Sequence, residues 1–161
     1  MSWQSVLAWR VHQHFLDRRA PASAFLDVTK RVCGLHAQVL SSAELTLWAR
    51  TDRLPRNTVH DALWRTRALV KVWAMRGTLH LFASSDYPLW QAALSTLRRE
   101  VTPAWLKYYD LTREEFDALM RTIGDVLDGQ LLTRMQLAEQ VAQRTGSPEL
   151  GEKIIRSSWG S

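Results

Sequence analysis

The chain has one cysteine in 161 residues, Cys33, so an internal disulfide is excluded. No set of thiolates and imidazoles has the spacing of a zinc site, and neither a metal nor another cofactor is expected. Cys33 fits a small core position in a reducing compartment. Unbroken apolar runs are equally scarce. None approaches the ~20 residues that a membrane helix needs, so no membrane partner is expected. The opening residues, Met1-Ser2-Trp3-Gln4, lack the basic segment and apolar stretch of a secretory leader, and a cytoplasmic protein is the expectation. No low-complexity segment interrupts the chain.

What is present is enough apolar residue to fold. Hydrophobic residues make up 46% and charged residues 23%, a globular balance that suits one ordinary domain or two small ones. Eight tryptophans are many for this length, and cores built around indoles are expected. The net charge of +5 is unevenly spread. Residues 1–85 hold twelve Lys/Arg against five Asp/Glu, a net of +7, whereas residues 86–161 hold nine against eleven, a net of −2. Such asymmetry points the first half toward a polyanion, although arginines also solvate helix faces in proteins that bind nothing.

The stretch from Leu69 to Phe82 reads as a β-hairpin. Val70, Val72 and Ala74 alternate with Leu69, Lys71, Trp73 and Met75, and Leu79 and Leu81 alternate with Thr78, His80 and Phe82. Gly77, within Arg76-Gly77-Thr78, accepts the positive φ that a tight reversal requires. Nearly everything else reads as helix. The first runs from Trp3 through Leu7, Val11 and Phe15, capped by Ser2. The second spans Ala22 to Cys33 and ends at Gly34. The third, behind Ser41-Ser42, spans Ala43 to Arg50 with Leu45 and Trp48 inward. A fourth opens at Thr58, with Val59, Leu63 and Trp64 inward. Helices leading into a two-stranded hairpin with a cationic tip are the order of a winged helix-turn-helix, whose last helix before the wing enters the major groove. A hairpin that merely covers a helical core fits the same pattern.

Beyond the hairpin, Ser85-Asp86 is expected to cap a helix from Tyr87 to Glu100, with Arg98-Arg99 near its end. Pro103 is expected to interrupt, and Tyr108-Tyr109-Asp110 to link. Thr112 and Glu115 form a capping box for a helix carrying Phe116, Leu119, Ile123 and Val126, ended by Gly129. Thr133 opens a helix with Leu137 and Val141. Pro148 starts another with Leu150, Ile154 and Ile155.

Several of these pieces together resemble a known family. Leu7-Ala8-Trp9-Arg10, Cys33-Gly34-Leu35-His36-Ala37-Gln38, Leu47-Trp48-Ala49-Arg50 and Met75-Arg76-Gly77-Thr78-Leu79-His80-Leu81 are similar to tandem winged-helix DNA glycosylases of the AlkZ and YcaQ type. Leu132-Thr133-Arg134, Leu137-Ala138 and Trp159-Gly160 resemble the second module of that family. Members are usually more than twice this length, with three winged-helix modules curved around DNA. The resemblance thus implies an N-terminal portion: a mainly α fold with a small β-hairpin wing, one winged helix-turn-helix module followed by the helical part of a second, incomplete one. The expected divisions are 1–85 for the first module, 86–110 for a connecting helix and linker, and 111–161 for the second.

The family's catalytic motif is Gln-Φ-Gln or Gln-Φ-Asp, and His36-Ala37-Gln38 stands in its place. Gln38 matches, and His36 departs at the first position, where some members of the group carry His. The implied chemistry is hydrolysis of the N-glycosidic bond of alkylated purines without metal or cofactor. A neutral imidazole can take a proton from the attacking water, since an unperturbed histidine titrates near ~6.5. A glutamine carbonyl can orient that water and stabilise developing positive charge. Both side chains share a side only on extended backbone, because on a helix positions i and i+2 diverge by ~200°. His36 and Gln38 equally fit groups that satisfy backbone at a helix junction.

The expected function is therefore a winged-helix DNA-binding protein acting as a DNA-repair glycosylase. A non-catalytic winged-helix regulator and a helical protein-interaction module are the competing readings. The expected catalytic residues are His36 and Gln38. Those for DNA are Arg56, His60, Arg65, Arg67, Lys71, Arg76 and His80. The expected partner is damaged double-stranded DNA, bound by a monomer associated with the nucleoid. The fragment alone is expected to turn over weakly or not at all.

Overall fold

A computed structural model describes residues 1–97 and 101–156. The helix expected from Tyr87 toward Glu100 ends at Ser95, and the Arg98-Arg99 pair and Trp159-Gly160 lie outside the described residues. The chain divides into two compact units, Met1–Arg98 and Arg99–Ser161.

In the first unit the elements follow as α1 (Trp3–Gln13), β1 (Ala20–Pro21), α2 (Phe25–Arg31), β2 (Leu35–His36), α3 (Leu40–Trp48), β3 (Thr51–Asp52), α4 (Thr58–Trp64), β4 (Leu69–Trp73), β5 (Leu79–Ala83) and α5 (Tyr87–Ser95). The hairpin forms as expected: β4 pairs antiparallel with β5, from Leu69↔Ala83 to Trp73↔Leu79. Gly77 sits in its turn at φ 72°, and Arg76 beside it at φ 56°. The pattern did not foretell a third strand. β2 joins the far side of β5, giving a sheet of order β2-β5-β4. The succession α2-β2-α3-α4-β4-β5, with its first strand paired to its last, is a winged helix-turn-helix.

One face of this sheet supplies Leu35, Ala37, Leu69 and Leu81 to a core shared with Val28, Ala43, Leu47, Val59, Ala62 and Leu63 from α2, α3 and α4. Each fully buried leucine or valine contributes about 1.5–3 kcal/mol relative to exposure. The expectation of indole cores does not hold, for this core is aliphatic. Trp3 is 79% exposed and Trp64 60%, and α1 has no buried residue at all. Its apolar stripe is real in sequence, and Ser2 caps it by accepting from Ser5 N–H, but Trp3 and Leu7 stay largely exposed. Only Phe15, beyond its end, reaches the core.

Other expectations also shift. α3 begins at Leu40, so Ser41 and Ser42 lie in its first turn, and Val39 stands at the N-cap without a side-chain bond. Its inward residues are consequently Ala43 and Leu47, and Leu45 is exposed. Asp86 occupies the N-cap of α5, yet its carboxylate pairs with Lys30 instead of capping.

The second unit contains α6 (Pro103–Tyr108), α7 (Arg113–Leu127), α8 (Arg134–Thr145) and α9 (Pro148–Arg156). Pro103 opens a helix where an interruption was expected. It occupies the first turn, where a missing N–H costs nothing, and Thr102 accepts from Trp105 N–H. The capping boxes at Thr112/Glu115 and Thr133/Gln136 are both fully made. Leu119, Val126, Val141 and Leu150 form the core. Lys153 of α9 ties back to the Asp110 and Tyr109 carbonyls and the Asp110 carboxylate. Among the described residues no strand follows β5.

Candidate active site and nucleic-acid interface

The route from α2 into β2 makes a sharp reversal. Cys33 and Gly34 both take positive φ, 59° and 89°, and Gly34 N–H donates to the Thr29 carbonyl at 2.9 Å. The chain then runs extended. Leu35 lies opposite Leu81 and His36 opposite His80, and Ala37 N–H donates to the Leu79 carbonyl at 2.8 Å, carrying the pairing one residue further. Period two does the rest. Leu35 and Ala37 are buried in the core, while His36 and Gln38 are exposed on the sheet's other face. The extended backbone that a cooperating pair needs is thus present at this point of the chain.

Each member of the pair has a partner on β5. The Gln38 Oε1 accepts from Leu79 N–H at 3.3 Å. A backbone N–H can only donate, so this bond settles which end of the amide is which and turns its NH2 group outward. The His36 ring meets that of His80 edge-on, at 5.5 Å between centroids and 88° between planes.

His80 is misread by the sequence pattern. Expected to face DNA, it is 6% exposed, with Nδ1 3.0 Å from the Thr78 carbonyl and its ring stacked on Phe82. Its ring is covered by His36 of β2 and by Phe82, on which Trp90 of α5 packs, so it cannot reach a phosphate.

The other expected DNA-binding residues are all exposed: Arg56, His60, Arg65, Arg67, Lys71 and Arg76. α4 buries Val59, Ala62 and Leu63, leaving His60 and Trp64, one turn apart, on its outer side. Trp64 was expected inward. The i,i+4 spacing from His60 was the available signal that it faces out. Asp61 pairs with Arg65 at 3.5 Å, partly offsetting its charge, and lies 3.8 Å from His60 Nδ1. Arg56, Arg67, Lys71 and Arg76 make no ion pair among the described residues. Arg76 stands at the hairpin tip and Arg67 at its base, in left-handed conformations that cost a non-glycine residue about 1–2 kcal/mol each.

Among the described residues no group of three or more His, Cys, Asp or Glu is arranged to hold a metal ion. No helix among them is long and apolar enough to cross a membrane. A cavity of about 1020 Å³ lies within the second unit, lined by Trp105, Tyr109, Phe116 and Lys153 among others, and contains none of the expected site residues.

The fold is that of a winged helix-turn-helix protein, with exposed basic residues and an exposed His/Gln pair beside its wing. A family model described as "DNA glycosylase AlkZ-like" matches residues 29–160. The chain belongs to the AlkZ-like DNA glycosylase family. It is 35% identical over 160 residues to the interstrand DNA cross-link repair glycosylase of Streptomyces sahachiroi, covering 99% of this chain and 42% of that protein. The solved structure of Streptomyces sahachiroi DNA glycosylase AlkZ superposes with a TM-score of 0.82 at 33% identity, again over 99% of this chain and 42% of that one. The chain therefore spans less than half the length of the relatives it matches.

Proposed function

We propose that this chain is the part of a DNA glycosylase that carries its hydrolytic pair, and that the whole protein cleaves the N-glycosidic bond of alkylated purines in double-stranded DNA. The observation that carries the reading is His36 and Gln38 exposed on one face of an extended strand, with the Gln38 carbonyl already oriented by Leu79 N–H. A carbonyl oxygen has two lone pairs, so the second remains free to hold a water. The His36 imidazole takes that water's proton as oxygen attacks C1′ and the cationic purine departs as a neutral base. Loss of the alkylated base's own positive charge supplies much of the driving force, so modest catalysts suffice.

Arg56, Arg67, Lys71 and Arg76 would neutralise phosphates on either side of the lesion, with His60, Trp64 and Arg65 of α4 facing the duplex. The enzyme would work as a monomer in the cytoplasm, on nucleoid DNA. The S. sahachiroi relative is named for interstrand cross-link repair, which makes crosslinked purines a substrate to assay beside simple N7-alkylguanine.

The test is single-turnover base release from such duplexes by a protein of the relatives' full length. Wild type should release base without added metal, and His36→Ala and Gln38→Ala should each slow release by ~10²–10³ with DNA affinity nearly unchanged. Wild-type release from a His36→Ala, Gln38→Ala double variant would leave a non-catalytic DNA binder as the better reading.

A further inference from the structure

His80 is the one histidine that is buried, and neither DNA contact nor proton transfer uses it. Its position is nevertheless specific. In the β2–β5 register it lies directly opposite His36, so the two imidazoles leave the same face of the sheet. A carbonyl only accepts, so the 3.0 Å contact to Thr78 places a proton on His80 Nδ1 and fixes the ring plane. The ring stacks on Phe82 at 6.0 Å and 23°, and Phe82 packs on Trp90 of α5 at 5.0 Å. Four rings thus run in series, Trp90, Phe82, His80, His36. Three are braced by their neighbours, and only the last is exposed to solvent.

His36 needs such a brace. It sits on a two-residue strand at the sheet edge, where an exposed side chain ordinarily samples several rotamers. A general base is useful only when its nitrogen is held in reach of the water, and about an ångström of misplacement can cost ~10²-fold. We propose that His80 is a positioning residue: its ring is the surface against which the His36 imidazole rests, holding it in one rotamer on the same side of β2 as Gln38. This assignment rests on the reading of His36 and Gln38 as the hydrolytic pair. Two adjacent residues of β5 then hold the two members, Leu79 through its N–H and His80 through its ring. The hairpin's outgoing strand acts as the scaffold of the site.

The experiment is side-chain NMR on the 161-residue chain, reading three-bond couplings and ring-current shifts of His36 in wild type, His80→Leu and His80→Phe. Leucine keeps apolar bulk in the strand but removes the ring and the Thr78 bond, and phenylalanine keeps the ring. His36 should occupy a single rotamer in wild type and His80→Phe, and average over rotamers in His80→Leu, while the Gln38 side-chain amide stays unchanged. Averaging in wild type, averaging in His80→Phe, or a single rotamer in folded His80→Leu would each overturn the proposal. The first two hold even if the leucine variant does not fold. In a protein of the relatives' length, His80→Leu should slow base release by ~10-fold at unchanged DNA affinity, and His80→Phe by less than about twofold. If His36→Ala releases base at the wild-type rate, the catalytic reading fails instead, and the couplings still report whether the two rings pack. The two failures are therefore distinguishable.

Discussion

Gly34 lies so close to Phe82 that a Cβ at position 34 would stand 2.6 Å from Phe82 Cε1 and 2.9 Å from Cδ1. The same Cβ would meet the Leu81 carbonyl at 3.1 Å, and the backbone there has φ +89°. A glycine is required on both counts, and it sits two residues before His36. Gly34→Ala should destabilise the first unit by about 2–4 kcal/mol, combining overpacking with a forced left-handed alanine. Urea unfolding measures it. A loss below about 0.5 kcal/mol would show that Phe82 yields freely.

At the hairpin tip, stability and affinity should separate. Arg76 holds φ 56° and ψ 21°, a region glycine occupies without penalty. Arg76→Gly should leave the melting temperature unchanged or raised, since relief of ~1 kcal/mol of strain offsets the added chain entropy. It should also weaken binding to any duplex and reduce the log–log salt slope by ~0.9, one phosphate contact. An unchanged slope would remove Arg76 from the DNA surface.

His36→Gln restores the commoner motif of the family and replaces the imidazole by an amide. Base release in a full-length protein should persist, as read by the single-turnover assay. Because His36 and Gln38 serve one water, the double alanine variant should be far less impaired than the product of the single effects. Multiplicative losses would place the two groups in separate steps.

In the second unit, α8 and α9 approach closely at Gly151, where a Cβ would meet the Ala138 carbonyl at 2.6 Å and the Ala142 Cβ at 2.9 Å. Both contacts belong to backbone or a stub that cannot swing away. Gly151→Ala should cost about 1–3 kcal/mol despite alanine's better helix propensity, as read by thermal unfolding. A stabilised variant would mean the two helices slide apart without loss.

Asp17 accepts from His12 Nδ1 at 3.0 Å, which holds its carboxyl below the ordinary carboxylate value. A depressed pKa contributes stability above the unfolded value of ~3.9 and loses it as pH falls through the lower folded one. His12→Ala should move the Asp17 titration upward, visible by NMR between about pH 2 and 5. The pair is exposed, so little change in the melting temperature is expected at neutral pH.

Local chemistry alone determined much of this protein. Alternation in Leu69–Phe82 with a glycine at the reversal specifies a hairpin, because those residues have few other ways to satisfy their backbone. Thr112/Glu115 and Thr133/Gln136 specify helix starts, since each box satisfies its own orphan N–H groups within four residues. The motif His36-Ala37-Gln38 could be picked out, and its need for extended backbone stated. What supplies that backbone is a strand more than forty residues away: β2 is two residues long and is held by β5. No local pattern encodes which strand another will join. Burial was likewise a tertiary decision. The period that marks one side of α1 or α3 as apolar does not say whether anything packs there, so Trp3 and Leu45 stay in solvent. His80 went the other way, covered by the His36 ring brought in on β2 and by Phe82, on which Trp90 of α5 packs.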